Sequence, residues 1–283
     1  MSAATLYDRC AREAASVVIG AYSTSFALAC RLLGKRTRQD VRCVYALVRI
    51  ADEVVDGTAD AAGVAPDEQR AILDALEAET LHAVAGGFST NLVVHAFALT
   101  ARACGIGADL IVPFFASMRT DLDTSLHDGA SHDAYVYGSA EVIGLMCLQI
   151  FVNAGSRRPI APDPALVDGA RRLGAAFQDI NFLRDRSDDA ERLGRDYLGL
   201  STGENTREDV LQRIQADLDA AAAVIPRLPR DCRRAVTVAH GLFAELAQRL
   251  RSADPDTRVS VPGGVKARIA ARSLLRLSPR STS

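Results

Sequence analysis

The sequence predicts an all-α protein in a single domain. Three observations lead there: apolar residues recur with helical period along most of the 283 residues, no alternating strand pattern competes, and glycine and proline clusters are few. Hydrophobic residues make up 48% of the chain and tryptophan is absent, a balance suited to a helix bundle with a large core.

Ten helical segments are expected, at about 6–20, 37–56, 66–85, 90–103, 107–122, 132–154, 164–190, 206–225, 229–251 and 261–277. The apolar run from Ala14 to Cys30 is interrupted by Ser16, Ser23, Thr24 and Ser25 and has no clear cleavage site, so it reads neither as a signal peptide nor as a membrane span. The second segment opens by capping-box logic on Thr37 with Asp40 three residues later, and stops at Asp56-Gly57. Within the sixth, the apolar run Val142 to Val152 contains Gln149 and is too short to cross roughly 30 Å of hydrocarbon. The breaks at 57–67, 86–90, 155–163, 194–204 and 254–261 are all too short to demand a linker between domains. An Arg/Ser tail begins at about 278.

A formal net charge of −2 excludes the overall basic excess of a dedicated nucleic-acid binder. The six cysteines form no CxxC pair and lie in apolar stretches, as reduced core thiols do, and the location expected is cytoplasmic. The five histidines, at 82, 95, 127, 132 and 240, lack ligand-like spacing and read as incidental.

The chemical signal is a pair of aspartates four residues apart on each of two helical segments, Asp52/Asp56 and Asp185/Asp189. At 3.6 residues per turn each pair returns to one face, so both carboxylates reach one object. Arg49 shares the first face, and Gln178 and Asn181 extend the second into an oxygen-rich stripe. Either pair alone is most simply an ordinary solvent-facing pair. Their context argues otherwise: Asp52 grows out of Val44 to Ala51 and Asp185 follows Gly174 to Phe177, and carboxylates emerging from a core need compensation. Hard oxygen donors on two helices suit Mg²⁺, with Mn²⁺ as a substitute, shared with the phosphates of a substrate.

Several ordered segments carry a family resemblance: Tyr22-Ser-Thr-Ser25-Phe26; Tyr45-Ala-Leu-Val-Arg49-Ile-Ala-Asp52-Glu-Val-Val-Asp56; Met118-Arg-Thr-Asp121; Tyr135-Val-Tyr137-Gly-Ser-Ala-Glu-Val-Ile-Gly144; Gln178-Asp-Ile-Asn181-Phe-Leu-Arg184-Asp185-Arg-Ser-Asp-Asp189; and Gly194-Arg195-Asp-Tyr197-Leu. Spread over roughly 15–275, this set resembles the phytoene/squalene synthases, and among them the bacterial phytoene synthases. The resemblance implies the isoprenoid synthase fold, a helical bundle around a central cavity with the acidic motifs on opposite walls. It implies that Asp52, Asp56, Asn181, Asp185 and Asp189 hold Mg²⁺, that Arg49 and Arg184 face diphosphate, and that Ser25 and Phe26 belong to a closing loop whose ring stabilises a carbocation. Tyr45, Tyr135 and Gly144 would line the hydrocarbon cavity, with Gln178 and Tyr197 also at the substrate. The implied reaction joins two allylic diphosphates head to head through a cyclopropyl intermediate, most simply two geranylgeranyl diphosphates to phytoene.

The chain departs from the family where Asp188-Asp189 replaces the common Glu-Asp and where Arg186 and Ser187 stand. Glu141 and Asp179 receive no role. No dinucleotide fingerprint follows a strand, so no NADPH is expected, which favours phytoene over squalene. A farnesyl-using presqualene or squalene synthase and a single-substrate cyclase on the same fold are the enzyme alternatives. A non-catalytic assembly factor that has lost its metal ligands fits poorly with four retained aspartates, and a plain helical scaffold would leave the ordered motifs to coincidence. At the C-terminus Arg268, Arg272, Arg276 and Arg280 recur every four residues near Lys266, beside Val265, Ile269, Leu274, Leu275 and Leu277: a basic amphipathic helix able to rest on an anionic membrane. A monomer or homodimer is expected.

Overall fold

The computed structural model describes residues 3–22, 25–123, 129–193, 196–254 and 257–276; within them, the side chains of 3–4, 25–28, 187–193 and 273–276 are outside the description. Thirteen α-helices account for most of this: α1 (Ala3–Tyr22), α2 (Ser25–Leu32), α3 (Lys35–Val55), α4 (Thr58–Ala61), α5 (Pro66–Gly86), α6 (Leu92–Cys104), α7 (Ala108–Asp123), α8 (Gly129–Val136), α9 (Val142–Asn153), α10 (Pro164–Leu193), α11 (Arg207–Val224), α12 (Arg230–Ser252) and α13 (Gly263–Arg276). No strand occurs among the described residues. All ten expected segments are present, and α2 and the single-turn α4 were not expected. The segment expected at 132–154 is α8 and α9 joined by a π-helical turn, Tyr137–Glu141.

Two apolar clusters organise the packing. The larger runs through α3, α6, α7 and α9, with Leu47, Phe97, Phe114, Phe115, Met146 and Ile150 fully buried. The second gathers Ile180, Phe182 and Leu183 of α10 with Tyr197, Ile214, Leu218 and Leu246. Each acidic motif grows out of one cluster: α3 carries Asp52 from the first and α10 carries Asp185 from the second. Alanines Ala11, Ala15, Ala46 and Ala96, with Cys43, let α1, α3 and α6 approach closely.

The start of α3 differs from the expectation. Its N-cap is Gly34, in extended conformation and with no side-chain cap; Thr37 lies inside the helix, fully buried. Asp40 does not turn back on the N-terminus because its Oδ1 receives hydrogen bonds from Arg12 Nη1 and Thr100 Oγ1, each 2.9 Å away, and so ties α3 to α1 and α6. The expected stop holds: Asp56 is the C-cap and Gly57 follows at φ +99°, a left-handed conformation that favours glycine. A capping box does occur at Thr206 and Asp209, at the head of α11. Arg36 anchors the other end of α3, donating to both oxygens of Asp231 and to the carbonyls of Phe151 and Ala154 at the end of α9. Of the six free cysteines, Cys10 is exposed, unlike the expected core thiol; burial pushes the thiols of Cys30, Cys104 and Cys232 up to about 12.

The position of α10 is set by contacts that only glycine permits. A Cβ on Gly174 would stand 2.6 Å from the Ala140 carbonyl oxygen, and one on Gly144 would stand 2.5 Å from that of Ala170. On the opposite side of the π-helical turn, a Cβ on Gly138 would overlap the Pro113 carbonyl oxygen and Ser117 Oγ of α7. Ser117 Oγ donates to the Tyr135 carbonyl at 3.0 Å, beside the π-helical turn, where i→i+5 bonding disturbs the regular ladder. The run Gly129–Asn153 is long and apolar enough to cross a membrane, longer than the expected Val142–Val152, and here it is clamped between α7 and α10. Gly174→Ala is expected to destabilise the protein by about 2 kcal/mol, the usual scale of overpacking between rigid backbones. Guanidinium denaturation measures this, and an unchanged midpoint would refute the glycine constraint.

Candidate active site

On α3, Arg49 donates from Nη1 to Asp52 Oδ2 at 2.7 Å and from Nη2 to Glu53 Oε1, while its guanidinium carbon lies 4.6 Å from the centroid of the Tyr22 ring. The fifth donor is left over: Arg49 Nε is buried without a hydrogen-bond partner. Burial works against ionisation of Glu53, but hydrogen bonds from Thr58 and Arg49 outweigh it and hold that carboxyl below its ordinary value. Asp52 goes the other way. Burial first, then the neighbouring Asp56, push its carboxyl up to about 7; Arg49 opposes this, and Asp121 and Glu53 add to it. Asp56, exposed at the helix end, hydrogen-bonds through its N–H to the Asp52 carbonyl.

On α10, Gln178, Asn181, Arg184 and Asp185 are half-buried along one stripe. Asp185 is held by two arginines: Arg184 reaches both its oxygens from Nε, at 3.0 and 3.1 Å, and adds a contact from Nη2, while Arg258 approaches Oδ1 at 3.2 Å from the segment after α12. Asp189 lies in α10, but its side chain is outside the described residues, as are those of Ser25 and Phe26 at the head of α2.

Asp121, near the end of α7, sits between the two motifs. It is buried, Oδ1 accepting from the Tyr197 phenol at 2.7 Å and Oδ2 from the Tyr135 phenol at 2.8 Å. The Tyr197 ring stacks on Phe182 of α10, with centroids 4.2 Å apart and planes 8° from parallel. Burial, with Asp121 next to it, raises the Tyr135 phenol well above its ordinary range, so it stays a donor. One of the charges that raise Asp52, that of Asp121, is therefore gripped by two phenols, one of which lies flat on the helix of the second motif.

Tyr135 and Tyr197 thus present their hydroxyls to Asp121. Tyr45 is half-buried against the larger cluster near Arg49, and Gly144 stands at the crossing of α9 and α10. Four residues not singled out as site residues join the site: Tyr22, Glu53, Asp121 and Arg258. Tyr22 and Asp121 stood inside quoted segments, and Glu53 was flanked by the acids of the first pair. Nothing in the sequence around Arg258 pointed to Asp185.

Among the described residues no three acids, histidines or cysteines converge as a ready metal cage. The donor set still fits Mg²⁺ held together with a diphosphate. The oxygens are hard, Mg²⁺ keeps waters and is bound through one or two carboxylates together with substrate phosphates, and the spare Arg49 Nε–H is a donor in want of an anion.

A family model described as squalene/phytoene synthase matches residues 19–204. The chain is 34% identical to the 15-cis-phytoene synthase of Paracoccus sp. over 183 residues, 62% of this chain and 56% of the relative. It is 36% identical to that of Pantoea ananas over 188 residues, 63% and 56% of the two. These matches span little more than half of each relative's length. A phytoene synthase of Mycobacterium tuberculosis is 28% identical over 271 residues, 86% of this chain and 84% of the relative. Among solved structures, a dehydrosqualene synthase in complex with a ligand superposes with a TM-score of 0.77 at 24% identity, covering 95% of this chain and 97% of the other. A squalene synthase from Alicyclobacillus acidocaldarius gives 0.72 at 20% identity, covering 87% and 95%. The fold is the all-α isoprenoid synthase fold.

The raised Asp52 carboxyl has a signed consequence. The folded metal-free protein holds this proton between an ordinary value of 3.8 and about 7, while the unfolded chain releases it early, so this contribution to stability is lost as pH rises through that window. Melting metal-free protein from pH 4.5 to 8 should show wild type losing stability relative to Asp52→Asn, and parallel curves would refute the assignment.

Proposed function

The chain belongs to the squalene/phytoene synthase family, and from that premise we propose that it is a Mg²⁺-dependent prenyltransferase, one domain throughout, that joins two geranylgeranyl diphosphates head to head to give phytoene. The observation that carries the reading is the face of α3: two aspartates, an arginine with a buried unused donor, and a neighbouring Asp121 whose phenols tie it to the helix of the second pair. The relatives' names support phytoene, and so does the lack of a dinucleotide fingerprint.

In this reading Asp52, Asp56, Asn181, Asp185 and Asp189 hold Mg²⁺. When bound, the metal neutralises the charge that departs with the diphosphate. The rest falls to the chain's own groups. Arg49 turns its spare donor to phosphate oxygen, and Arg184 and Arg258 supply further donors beside Asp185. Tyr45, Tyr135 and Tyr197, with Ser25 and Phe26 closing and Gln178 on α10, surround the hydrocarbon. The packing that Gly144 permits sets the wall behind it. No protein nucleophile is required.

Asp52→Asn and Asp185→Asn should each lower turnover by roughly three or more orders of magnitude while leaving the far-UV spectrum unchanged, because an ionising diphosphate loses electrostatic support. The assay supplies C15 or C20 allylic diphosphate with Mg²⁺, with and without NADPH, and identifies hydrocarbons by mass spectrometry. A C40 product from C20 without reductant supports phytoene; a C30 product moves the assignment to the squalene branch. Near-wild-type turnover in either variant would refute the metal assignment.

The same reading places the enzyme in the cytoplasm, as monomer or homodimer, with α13 resting on the membrane that receives the product. In α13, Ile269 packs on Gly241 of α12, and Arg268 and Arg272 face solvent. The contact is therefore electrostatic adhesion, with little apolar insertion. Arg268→Gln with Arg272→Gln should weaken sedimentation with anionic liposomes several-fold at low salt and leave turnover on detergent-dispersed substrate unchanged; unaltered sedimentation would refute it.

A further inference from the structure

A polar cavity of about 210 Å³ opens between α8, α10 and α11, lined in part by His132, Asp133, Arg172, Asp179 and Arg213. His132, read as incidental from the sequence, is 7% exposed, and its two ring nitrogens have distinct tasks. Nδ1 lies 2.7 Å from the carbonyl oxygen of Tyr197. A carbonyl only accepts, so Nδ1 carries the proton. Nε2 faces Arg213 Nη2 at 3.3 Å and Asp179 Oδ1 at 3.2 Å. Asp179 is 1% exposed and its Oδ2 accepts from Arg213 Nε at 2.8 Å; its Oδ1, though near Nε2, has no hydrogen-bond partner, so with the proton on Nδ1 the Nε2 side of the ring is held from α11 by Arg213. The edge of its ring meets Phe182, centroids 6.4 Å apart, the residue on which Tyr197 stacks.

Tyr197 lies outside any helix, in a stretch where no repeating backbone ladder fixes it. Its contacts include the ring on Phe182 and beside Tyr135, the phenol on Asp121, and the carbonyl on His132. The carbonyl contact pins the backbone from which the phenol reaches Asp121. We propose that His132 is a positioning residue for the condensation reaction, acting through the Tyr197 carbonyl to fix the Tyr197 phenol and, through it, the Asp121 carboxylate that faces Asp52. The kinetic part of this rests on the function proposed above; the contact itself does not.

Two isosteric substitutions separate the nitrogens. His132→Asn puts an amide N–H where Nδ1 stands and nothing at Nε2; His132→Gln puts it near Nε2 and nothing at Nδ1. His132→Asn should keep kcat within about threefold of wild type, and His132→Gln should lower it about tenfold or more with KM changed less than about twofold, the pattern of a misplaced group acting only in the transition state. Equal losses in both variants, or the reverse order, would overturn the proposal in favour of a bracing role for the Asp179–Arg213 side.

Tyrosine labelled with ¹³C at Cζ gives a second measurement that needs no turnover. The Tyr197 and Tyr135 resonances, assigned by replacing each with Phe, should move in His132→Gln and stay in His132→Asn; no movement in His132→Gln overturns the contact. If wild type turns over neither C15 nor C20 diphosphate, the function reading fails while these spectra still decide the positioning of Tyr197. If His132→Gln does not fold, long-range ¹⁵N–¹H spectra of the wild-type ring decide: a proton on Nδ1 supports the proposal, and one on Nε2 alone overturns it.

Discussion

Carboxylates close enough to repel one another, raised out of apolar packing, cannot be held together without something that answers their charge, and the middle of this molecule is arranged around that difficulty. Asp56 and Asp121 both press on Asp52, and burial strips Asp52 and Asp121 of much of the water that would screen them. The acids here are answered differently: Asp52 takes Arg49 and retains its proton to about 7, Glu53 beside it takes Arg49 and Thr58, and Asp121 receives two phenols. Phenols stabilise a carboxylate without bringing a counter-charge, so Asp121 keeps its field while being fixed in place.

That arrangement needs a precise distance between α7, which carries Asp121, and α10, which carries the second motif, and the π-helical turn supplies it. Gly138 admits α7 on one side and Gly174 admits α10 on the other, each at a separation that a single methyl group would violate. Tyr135, the source of one phenol, comes two residues before the turn, and its carbonyl is taken by Ser117 of α7. The same turn thus sets the helix spacing and aims a hydroxyl at Asp121.

The sequence made the helices legible because their apolar period is long and uninterrupted; α2 was hidden in the run Ala14 to Cys30, where periodicity has no boundary to mark. The Thr37–Asp40 cap was misjudged for a physical reason: a short acid near a helix start serves the helix only when no stronger partner is near, and Arg12 with Thr100 supplied one across 28 and 60 residues of sequence. The acid pairs were legible because i,i+4 spacing is local. The pairing of Asp121 with its two tyrosines was not, since the partners come from 14 and 76 residues away and the resemblance had placed Tyr135 and Tyr197 at the substrate without linking them to Asp121. Arg258 and His132 were missed likewise: their roles exist only once a distant segment folds against them.

The two acidic helices are compensated differently without metal, Asp52 by Arg49 and a proton and Asp185 by two arginines, and this difference bears on how the proposed site would load. Asp52, besides its pairing with Arg49, keeps a proton to about 7, so a divalent cation bound in the proposed site would release it, and its affinity there would rise as pH approaches about 7. The α10 acid is relieved by Arg184 and Arg258, cations already placed in the site. Were a divalent cation in the proposed site to take over the neutralisation of Asp185, these guanidinium groups would lose their carboxylate and need a new anion. A diphosphate arriving with the metal meets that need, and so each component of the charged complex creates the demand for the other.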